Sequence, residues 1–297
     1  MNGVVIIDKP PHLTSHDVVN RVRRILSQRS VGHLGTLDPS ATGVLPIVVG
    51  NLTRLAQFYA HSEKTYEGVI HFGFATDTYD AAGEPSTPPE EITIDCDELR
   101  ILAAQFQGTI EQVPPPFSAK KIAGVPAYKL ARKKKQVDLK PVQVEIKEFD
   151  ILHTTSNRAT FRARVASGTY IRSVAHEMGL KLGCGAHLVS LRRTAVAEFV
   201  IEEAHTLQEL ETVSEQGSAE SLFVHPRKLV PQLPCVTATE ENAALIRSGR
   251  AVNLPEMSRA PQVKVFYGQR DLIAIATRIA GTLFHPRIVF SAESKPG

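Results

Sequence analysis

The sequence predicts an α+β fold: a mixed, mainly antiparallel β-sheet domain flanked by helices and loops, followed by a small β-rich C-terminal domain. Three observations carry this reading. Val142, Val144 and Ile146 alternate with polar neighbours, as do Phe161, Ala163 and Val165, which is the period of a strand with one buried face. Helical spacing is confined to short stretches, such as Val18, Val19, Val22, Ile25 and Leu26. Pro226, Pro231 and Pro234 break the chain, and only short strand-like runs with few helical signals follow them.

Each element has a local cause. Val4 to Ile7 is an apolar run ended by Lys9-Pro10-Pro11, so it reads as a strand. Thr14 or Ser15 then caps a helix whose apolar face is the valine set above, with Arg21, Arg23 and Arg24 decorating the rest. Residues 32 to 46 hold three glycines and two prolines, which forbids a regular helix or a central strand. The segment reads as a loop of tightly specified backbone between apolar runs. Tyr66 to Phe74 is predicted as a strand with Tyr66, Ile70, Phe72 and Phe74 on one face. Residues 76 to 95 are polar and rich in Pro, Asp and Thr, a loop; Leu99 to Phe106 fits a helix. A further helix starts near Ile171 and stops at Gly183. Past the prolines, Val263 to Phe266 and Leu272 to Ile275 are strand-like. The domain reading is 1–230 and 235–297.

Composition narrows the function. The chain has 297 residues, 42% hydrophobic and 22% charged, so a sizeable core can be buried. No run of about 18 apolar residues exists to cross a membrane, and the N-terminus lacks a signal-peptide pattern. Cys96, Cys184 and Cys235 are far apart and never form a C-x-x-C pair, which argues against a disulfide framework and a cysteine zinc site. A reducing, cytoplasmic setting without a structural metal is the expectation. Neither G-x-x-x-x-G-K-[ST] nor G-x-S-x-G occurs, which gives no support to an NTP site or a serine hydrolase. Net charge is only +3, but residues 118 to 135 carry seven basic side chains (Lys120, Lys121, Lys129, Arg132, Lys133, Lys134, Lys135) and no acid. Such a block can meet phosphates; equally, it can be a solvated loop.

Asp38 stands in the Gly/Pro loop after Gly32-His33. A carboxylate there can be a nucleophile, a general base or merely a turn residue beside Pro39. Gly168-Thr169-Tyr170-Ile171-Arg172 lies where a strand passes into a helix. Tyr170 and Arg172 would share one face if extended, and Arg172 could hold Asp38 ionised; the alternative is a surface arginine. Tyr66 can stack on an extruded base or serve the core. In Leu191-Arg192-Arg193 the arginines can grip phosphates and Leu191 can wall a base pocket, or the run is an ordinary strand end.

Taken in order along the chain, these segments resemble one family, the bacterial tRNA pseudouridine synthases of TruB type, which modify the T-loop uridine. The resemblance rests on Ile7-Asp8-Lys9-Pro10, Gly32-His33-Leu34-Gly35-Thr36-Leu37-Asp38-Pro39, Lys64-Thr65-Tyr66, Thr76-Asp77-Thr78 with Asp80 and Gly83, Gly168 to Arg172, Leu182 to His187 and Leu191-Arg192-Arg193. It covers residues 3 to 210. It implies that Asp38 is the catalytic aspartate, that Tyr66 stacks on the target base and accepts a proton from C5, and that Arg172 pairs with the aspartate. It further implies that His33, Tyr170 and Leu191 meet the RNA or its uracil, and that Lys9 and Pro10 support the site. Lys9, Lys120, Lys121 and Arg192 join the expected substrate contacts. Residues from about 235 resemble the small RNA-binding module of PUA type.

The activity so implied is isomerisation of the T-loop uridine (position 55) of tRNA. The base is flipped out, and the C1′–N1 bond is exchanged for C1′–C5. Asp38 could attack C1′, add to C6 or remove the C2′ proton. No cofactor, no metal and no obligate protein partner is expected, with the T-arm stem-loop as ligand and a monomer as the working form. A non-catalytic tRNA-folding chaperone, a hydrolase of the N-glycosidic bond and a guide-RNA-type pseudouridylase subunit are the rival readings.

Overall fold

The computed structural model describes residues 1–118, 120–122, 125–127, 139–256 and 258–290. Within these the chain forms two sheets, a two-stranded hairpin and six α-helices. The strands of the larger sheet are β1 (Gly3–Lys9), β2 (Val31–His33), β3 (Thr42–Val49), β4 (Lys64–Phe72), β5 (Gly108–Gln112), β8 (Val142–Thr154), β9 (Arg158–Val165), β10 (Ala186–Val196) and β11 (Phe199–Val200). Its order is β1-β3-β10-β4-β9-β8-β5, with β2 on β3 and β11 on β10. Every pairing is antiparallel except the short β3·β10 contact, where Thr42 and Gly43 lie beside Arg192 and Arg193. The hairpin is β6 (Lys121–Ile122) with β7 (Val125–Pro126). The second sheet holds β12 (Cys235–Ala238), β13 (Val252–Asn253), β14 (Gln262–Tyr267), β15 (Asp271–Ala280) and β16 (Leu283–Val289), ordered β12-β14-β15-β16-β13. The helices are α1 (Ser15–Ile25), α2 (Ala56–Tyr59), α3 (Cys96–Ala104), α4 (Ile171–Lys181), α5 (Leu207–Glu215) and α6 (Glu240–Arg247). The predicted mixed, mainly antiparallel α+β architecture is the observed one.

The continuous apolar runs of β1 and β3 follow from burial on both faces. Val5, Ile7, Leu45 and Ile47 face a core under α1, while Val4, Ile6, Val44 and Val48 face a second core. That second core also takes Phe266, Leu272, Ile275 and Ile288, so the C-terminal sheet packs on the back of the larger one. Each such side chain contributes about 1.5–3 kcal/mol by leaving water. The helix starts obey capping chemistry. Thr14 accepts from Asp17 N and Asp17 answers in a capping box, and Asp95 accepts from the amides of Asp97 and Glu98.

Four predicted details shift. Residues 32 to 46, read as a loop that excludes a central strand, give their ends to β2 and to β3, which is paired on both sides with Pro46 opposite Ile6 and Gly43 beside Arg193. The helix expected at Leu99–Phe106 begins earlier, because Asp95 caps it. The strand expected to reach Phe74 ends at Phe72, since Gly73 turns at φ +113°; its buried face is Tyr66, Gly68, Ile70 and Phe72. Tyr170 and Arg172 do not share an extended strand: Tyr170 is the residue before α4, and Arg172 is in its first turn. Of the basic block, Lys129, Arg132, Lys133, Lys134 and Lys135 lie outside the described residues, and Lys121 gives backbone to β6.

Candidate active site

The loop between β2 and β3 carries Asp38, and three buried side chains together with one backbone amide fix its backbone. Ser15, the first residue of α1, accepts from Leu37 N at 2.8 Å and donates to Leu37 O at 3.1 Å. His12 N donates to Pro39 O. Lys9 is fully buried, and its ammonium donates to Pro10 O, Leu13 O and Pro39 O at 2.8, 2.6 and 3.1 Å. Arg193, also fully buried, donates to Gly35 O, Thr36 O and Val44 O at 3.0, 3.2 and 2.8 Å. Gly43 makes this approach possible. At its φ of +99° an added Cβ would stand 2.2 Å from Arg193 O.

Arg172 reaches the loop from α4. Its guanidinium meets Asp38 Oδ2 at 2.9 Å and Asp80 Oδ2 at 3.6 Å, and donates to Thr78 O and Phe117 O at 3.2 and 3.1 Å. Asp80 is held in turn, accepting from Thr78 Oγ1 at 2.7 Å and Ala82 N at 3.0 Å. The Arg172 side chain is only 6% exposed, whereas that of Asp38 is 40% exposed, so the carboxylate is the accessible member of the pair.

That accessible side opens on a cavity of about 430 Å³, lined among others by His33, Lys64, Tyr66, Tyr170, Arg172 and Leu191. Its volume is within the usual range for small-ligand sites. Two walls come from adjacent strands: Leu191 pairs with Gly68, and Arg193 with Tyr66, across β10 and β4. A second cavity of about 990 Å³ lies on the other side of the loop, with Asp38, Asp80, Phe117 and His16 on its walls. Asp38 and Arg172 line both.

Burial dominates the protonation of this region. Enclosure by protein raises the Asp38 carboxyl above its ordinary value, and the pull of Arg172 is the smaller, opposing effect. The expectation that Arg172 sets a lowered value is therefore corrected: the ion pair is present, but the carboxylate is poised upward because it faces a confined cavity rather than bulk water. Burial lowers Lys9 and Lys64 to about 8 each. It also lowers His33, whose Nδ1 accepts from Gly35 N at 3.2 Å, so the imidazole is neutral and tied to the loop. Burial raises the Tyr170 phenol.

Asp38, Tyr66, Arg172, His33, Tyr170 and Leu191 thus converge on one cavity. Other expected contacts do not. Lys9 gives all three protons to carbonyls and presents nothing to a substrate, since the loop above it covers the ammonium. Arg192 leaves the opposite face of β10 from Leu191 and forms an ion pair with Asp8 at 2.8 Å. Arg193, expected on phosphate, is inside the fold. Lys120 is exposed and outside the cavity lining. Sequence reasoning missed the role of Asp80 and Lys64 in the site, although both stand in the quoted motifs. Among the described residues no group of three His, Cys, Asp or Glu side chains is placed to hold a metal.

The chain is similar to known proteins over most of its length. Residues 23–171 match the model of the TruB family pseudouridylate synthase (N terminal domain), and residues 172–231 that of the tRNA pseudouridylate synthase B C-terminal domain. A tRNA pseudouridine synthase B of Solibacter usitatus is 46% identical over 97% of this chain and all of its own. One of Aquifex aeolicus is 39% identical over 97% and 100%. Among solved structures, an H/ACA RNP bound to a substrate RNA containing 2′-deoxyuridine superposes with a TM-score of 0.71 at 25% identity, covering 98% of this chain and 86% of the other. The archaeal box H/ACA sRNP Nop10-Cbf5 complex gives 0.69 at 26% identity, covering 98% and 87%. The chain belongs to the TruB family of pseudouridylate synthases.

Proposed function

We propose that this protein isomerises the T-loop uridine of tRNA to pseudouridine, with Asp38 as the catalytic carboxylate. The observation that carries the reading is the Asp38–Arg172 pair at 2.9 Å, set in the wall of a cavity between Tyr66 and Leu191. A uracil stacked on Tyr66 and floored by Leu191 would be held while its glycosidic bond is broken, and stacking supplies about 1–3 kcal/mol toward extruding the base. Arg172 keeps the Asp38 carboxylate charged against the upward push of burial. The carboxylate then attacks C1′, adds to C6 or takes the C2′ proton. His33 and Tyr170 border the same space and contact the displaced nucleotide. Lys9 supports the loop from beneath, and Lys120 and Lys121 are the phosphate contacts.

In this reading residues 1–230 are the catalytic domain, and residues 235–297 are an RNA-binding domain of PUA type that grips the T-arm. The protein works in the cytoplasm as a monomer, without a protein partner. The two solved structures cited above are protein–RNA and protein–protein assemblies, so independence from partners is the part of the reading most open to test. Purified protein with chelator and tRNA transcript tritiated at C5 of uridine decides it. Tritium release confined to the T-loop uridine supports a stand-alone, metal-free pseudouridine synthase. Release only when other proteins are added overturns the stand-alone form. Tight tRNA binding without release overturns the enzyme assignment in favour of a chaperone, and free uracil among the products would indicate a hydrolase.

A further inference from the structure

Gln112 ends β5 with its side chain wholly out of water. A buried amide needs partners for both its oxygen and its nitrogen. Both partners here belong to one residue, far away in the sequence. Tyr170 N donates to Gln112 Oε1 at 2.8 Å, and Gln112 Nε2 donates to Tyr170 O at 3.1 Å. The Tyr170 backbone is extended, with φ −101° and ψ 108°. In that conformation the N–H and C=O of a residue point to the same side, as they do toward a neighbouring strand. One planar amide can therefore meet both, whereas a carboxylate or an ammonium offers only one of the two roles.

The residue pinned in this way is unusual for its place. Tyr170 is the N-cap of α4, where Ser, Thr, Asp and Asn are preferred because their side chains close onto the first amides. Tyr170 makes no such cap bond, and it lines the cavity beside Asp38 instead. Arg172, two residues on, has anchors of its own in Asp38, Asp80, Thr78 O and Phe117 O. Tyr170 is fixed through its backbone, by Gln112 and by Val174 N, which donates to Tyr170 O at 3.3 Å. The residue after Gln112 holds the same helix at a second point, where Val113 O accepts from Ser173 Oγ at 2.7 Å.

We propose that Gln112 is a positioning residue that acts through Tyr170, setting the direction in which its ring meets the cavity and so where the displaced nucleotide comes to rest. This rests on the reading of Tyr170 as a contact of that nucleotide. Gln112 itself touches no substrate and moves no proton. Without its amide, the N–H of the cap residue loses its partner and the carbonyl keeps only the helix bond from Val174. The backbone of Tyr170 can then rotate, and the ring follows it.

The test joins fluorine NMR of the full chain labelled with 3-fluorotyrosine to single-turnover tritium release at saturating tRNA. The chain has six tyrosines, few enough to resolve, and the Tyr170 signal is the one lost in Tyr170→Phe. Gln112→Met keeps a similar length and removes both bonds. It should shift or broaden the Tyr170 signal, leave the remaining tyrosine signals in place, and slow turnover by up to about 10²-fold, the scale of a misplacement by an ångström. The Kd for tRNA should hold, because the ring is needed only once the nucleotide is displaced. The Gln112→Met/Tyr170→Ala pair should be no slower than Tyr170→Ala alone. An unmoved Tyr170 signal, or full additivity in the double variant, overturns the proposal and leaves Gln112 as a brace for α4. Wild-type turnover of Tyr170→Ala is a separate result: it overturns the reading of Tyr170, while the spectrum still decides whether Gln112 places the ring. Where melting curves show Gln112→Met unfolded, Gln112→Asn decides by the same readouts, since its amide is one methylene too short to reach both groups.

Discussion

The two sheets differ in what they bury. The larger one takes Lys9, Arg172, Arg193, Asp80, His187 and several hydroxyls out of water, whereas the C-terminal sheet buries Lys264 and otherwise an apolar set of Val, Ile, Ala, Leu and Phe. Lys264 resembles Lys9 in its chemistry. Its ammonium donates to Arg227 O and Leu229 O at 2.9 and 2.6 Å, tying down the segment that leads into its own sheet. Lys9 ties down the segment that carries Asp38. The same device thus fixes a linker in one sheet and the Asp38 loop in the other. Buried charge that serves only architecture is sparse; buried charge in a cluster marks the place where a carboxylate must be held against its own desolvation.

The sharpest break in that comparison is Asp38→Asn. Activity should fall by about 10⁴-fold or more, as when a reacting group is removed. Stability should move the other way. Asp38 has a folded value raised by burial, so the folded state holds the proton more tightly than the unfolded chain. The ionised form therefore weakens the fold, and stability is lost as pH rises above the ordinary aspartate range. Near neutral pH the asparagine variant should melt no lower than wild type. A variant several degrees less stable would show that the charge had been stabilising after all.

Arg172→Met is next in size. It leaves Asp38 and Asp80 facing one another without their shared cation, and orphans Thr78 O and Phe117 O. Asp80 is then buried without its cation, while the 40% exposure of Asp38 keeps the cost below the about 3–5 kcal/mol of a fully buried pair. Arg172 is the main influence that lowers the Asp38 carboxyl. Its removal should shift the acid limb of the rate profile to higher pH, read by tritium release between pH 5 and 9. An unshifted limb would mean that the rate does not report Asp38 ionisation.

How much of this was legible in the chain depends on the range of the interaction. The apolar run of β1, the cap at Thr14 and the stop at Gly183 are local, and periodicity or residue type reveals them; β3 was hidden because Gly43 and Pro46 within it argued against a central strand. Asp38 and Arg172 could each be singled out, yet their 2.9 Å contact depends on a sheet order that periodicity does not encode. Asp80 was harder to find because a polar Pro/Asp/Thr stretch looks like any surface loop. Only the fold brings Asp80 Oδ2 to 3.6 Å from Arg172. Arg192 and Arg193 show the opposite difficulty. As neighbours in sequence they look equivalent, but the alternation of the strand sends one to Asp8 and the other beneath the cavity. The direction of the Asp38 shift was misjudged for a related reason: a partner can be guessed from sequence, whereas enclosure cannot.

The smallest effects compare the two lysines directly. Lys9→Met strands Pro10 O and Leu13 O and leaves Pro39 O to His12 N alone, while Lys264→Met takes a donor from Arg227 O and Leu229 O, so each should lower the unfolding free energy by about 1–3 kcal/mol. Lys9 adds a pH signature. Its folded value is lowered to about 8 from an ordinary 10.5, so the unfolded chain binds more protons in that window and stability should rise with pH across it. Part of that rise should vanish in Lys9→Met; Lys64, also near 8, contributes in the same direction. The two variants should part company in turnover. Displacing Pro39 moves the neighbouring Asp38, and misplacement by an ångström can cost about 10²-fold, so Lys9→Met should be slow even with saturating tRNA. Lys264→Met, measured well below its melting temperature, should turn over at the wild-type rate, because it touches the linker into the C-terminal sheet and nothing in the cavity. Equal losses of rate in the two variants would mean that the linker reaches the site through the shared core of Val44, Val48, Phe266 and Ile275. The contrast between architectural and catalytic burial would then give way to a single coupled unit.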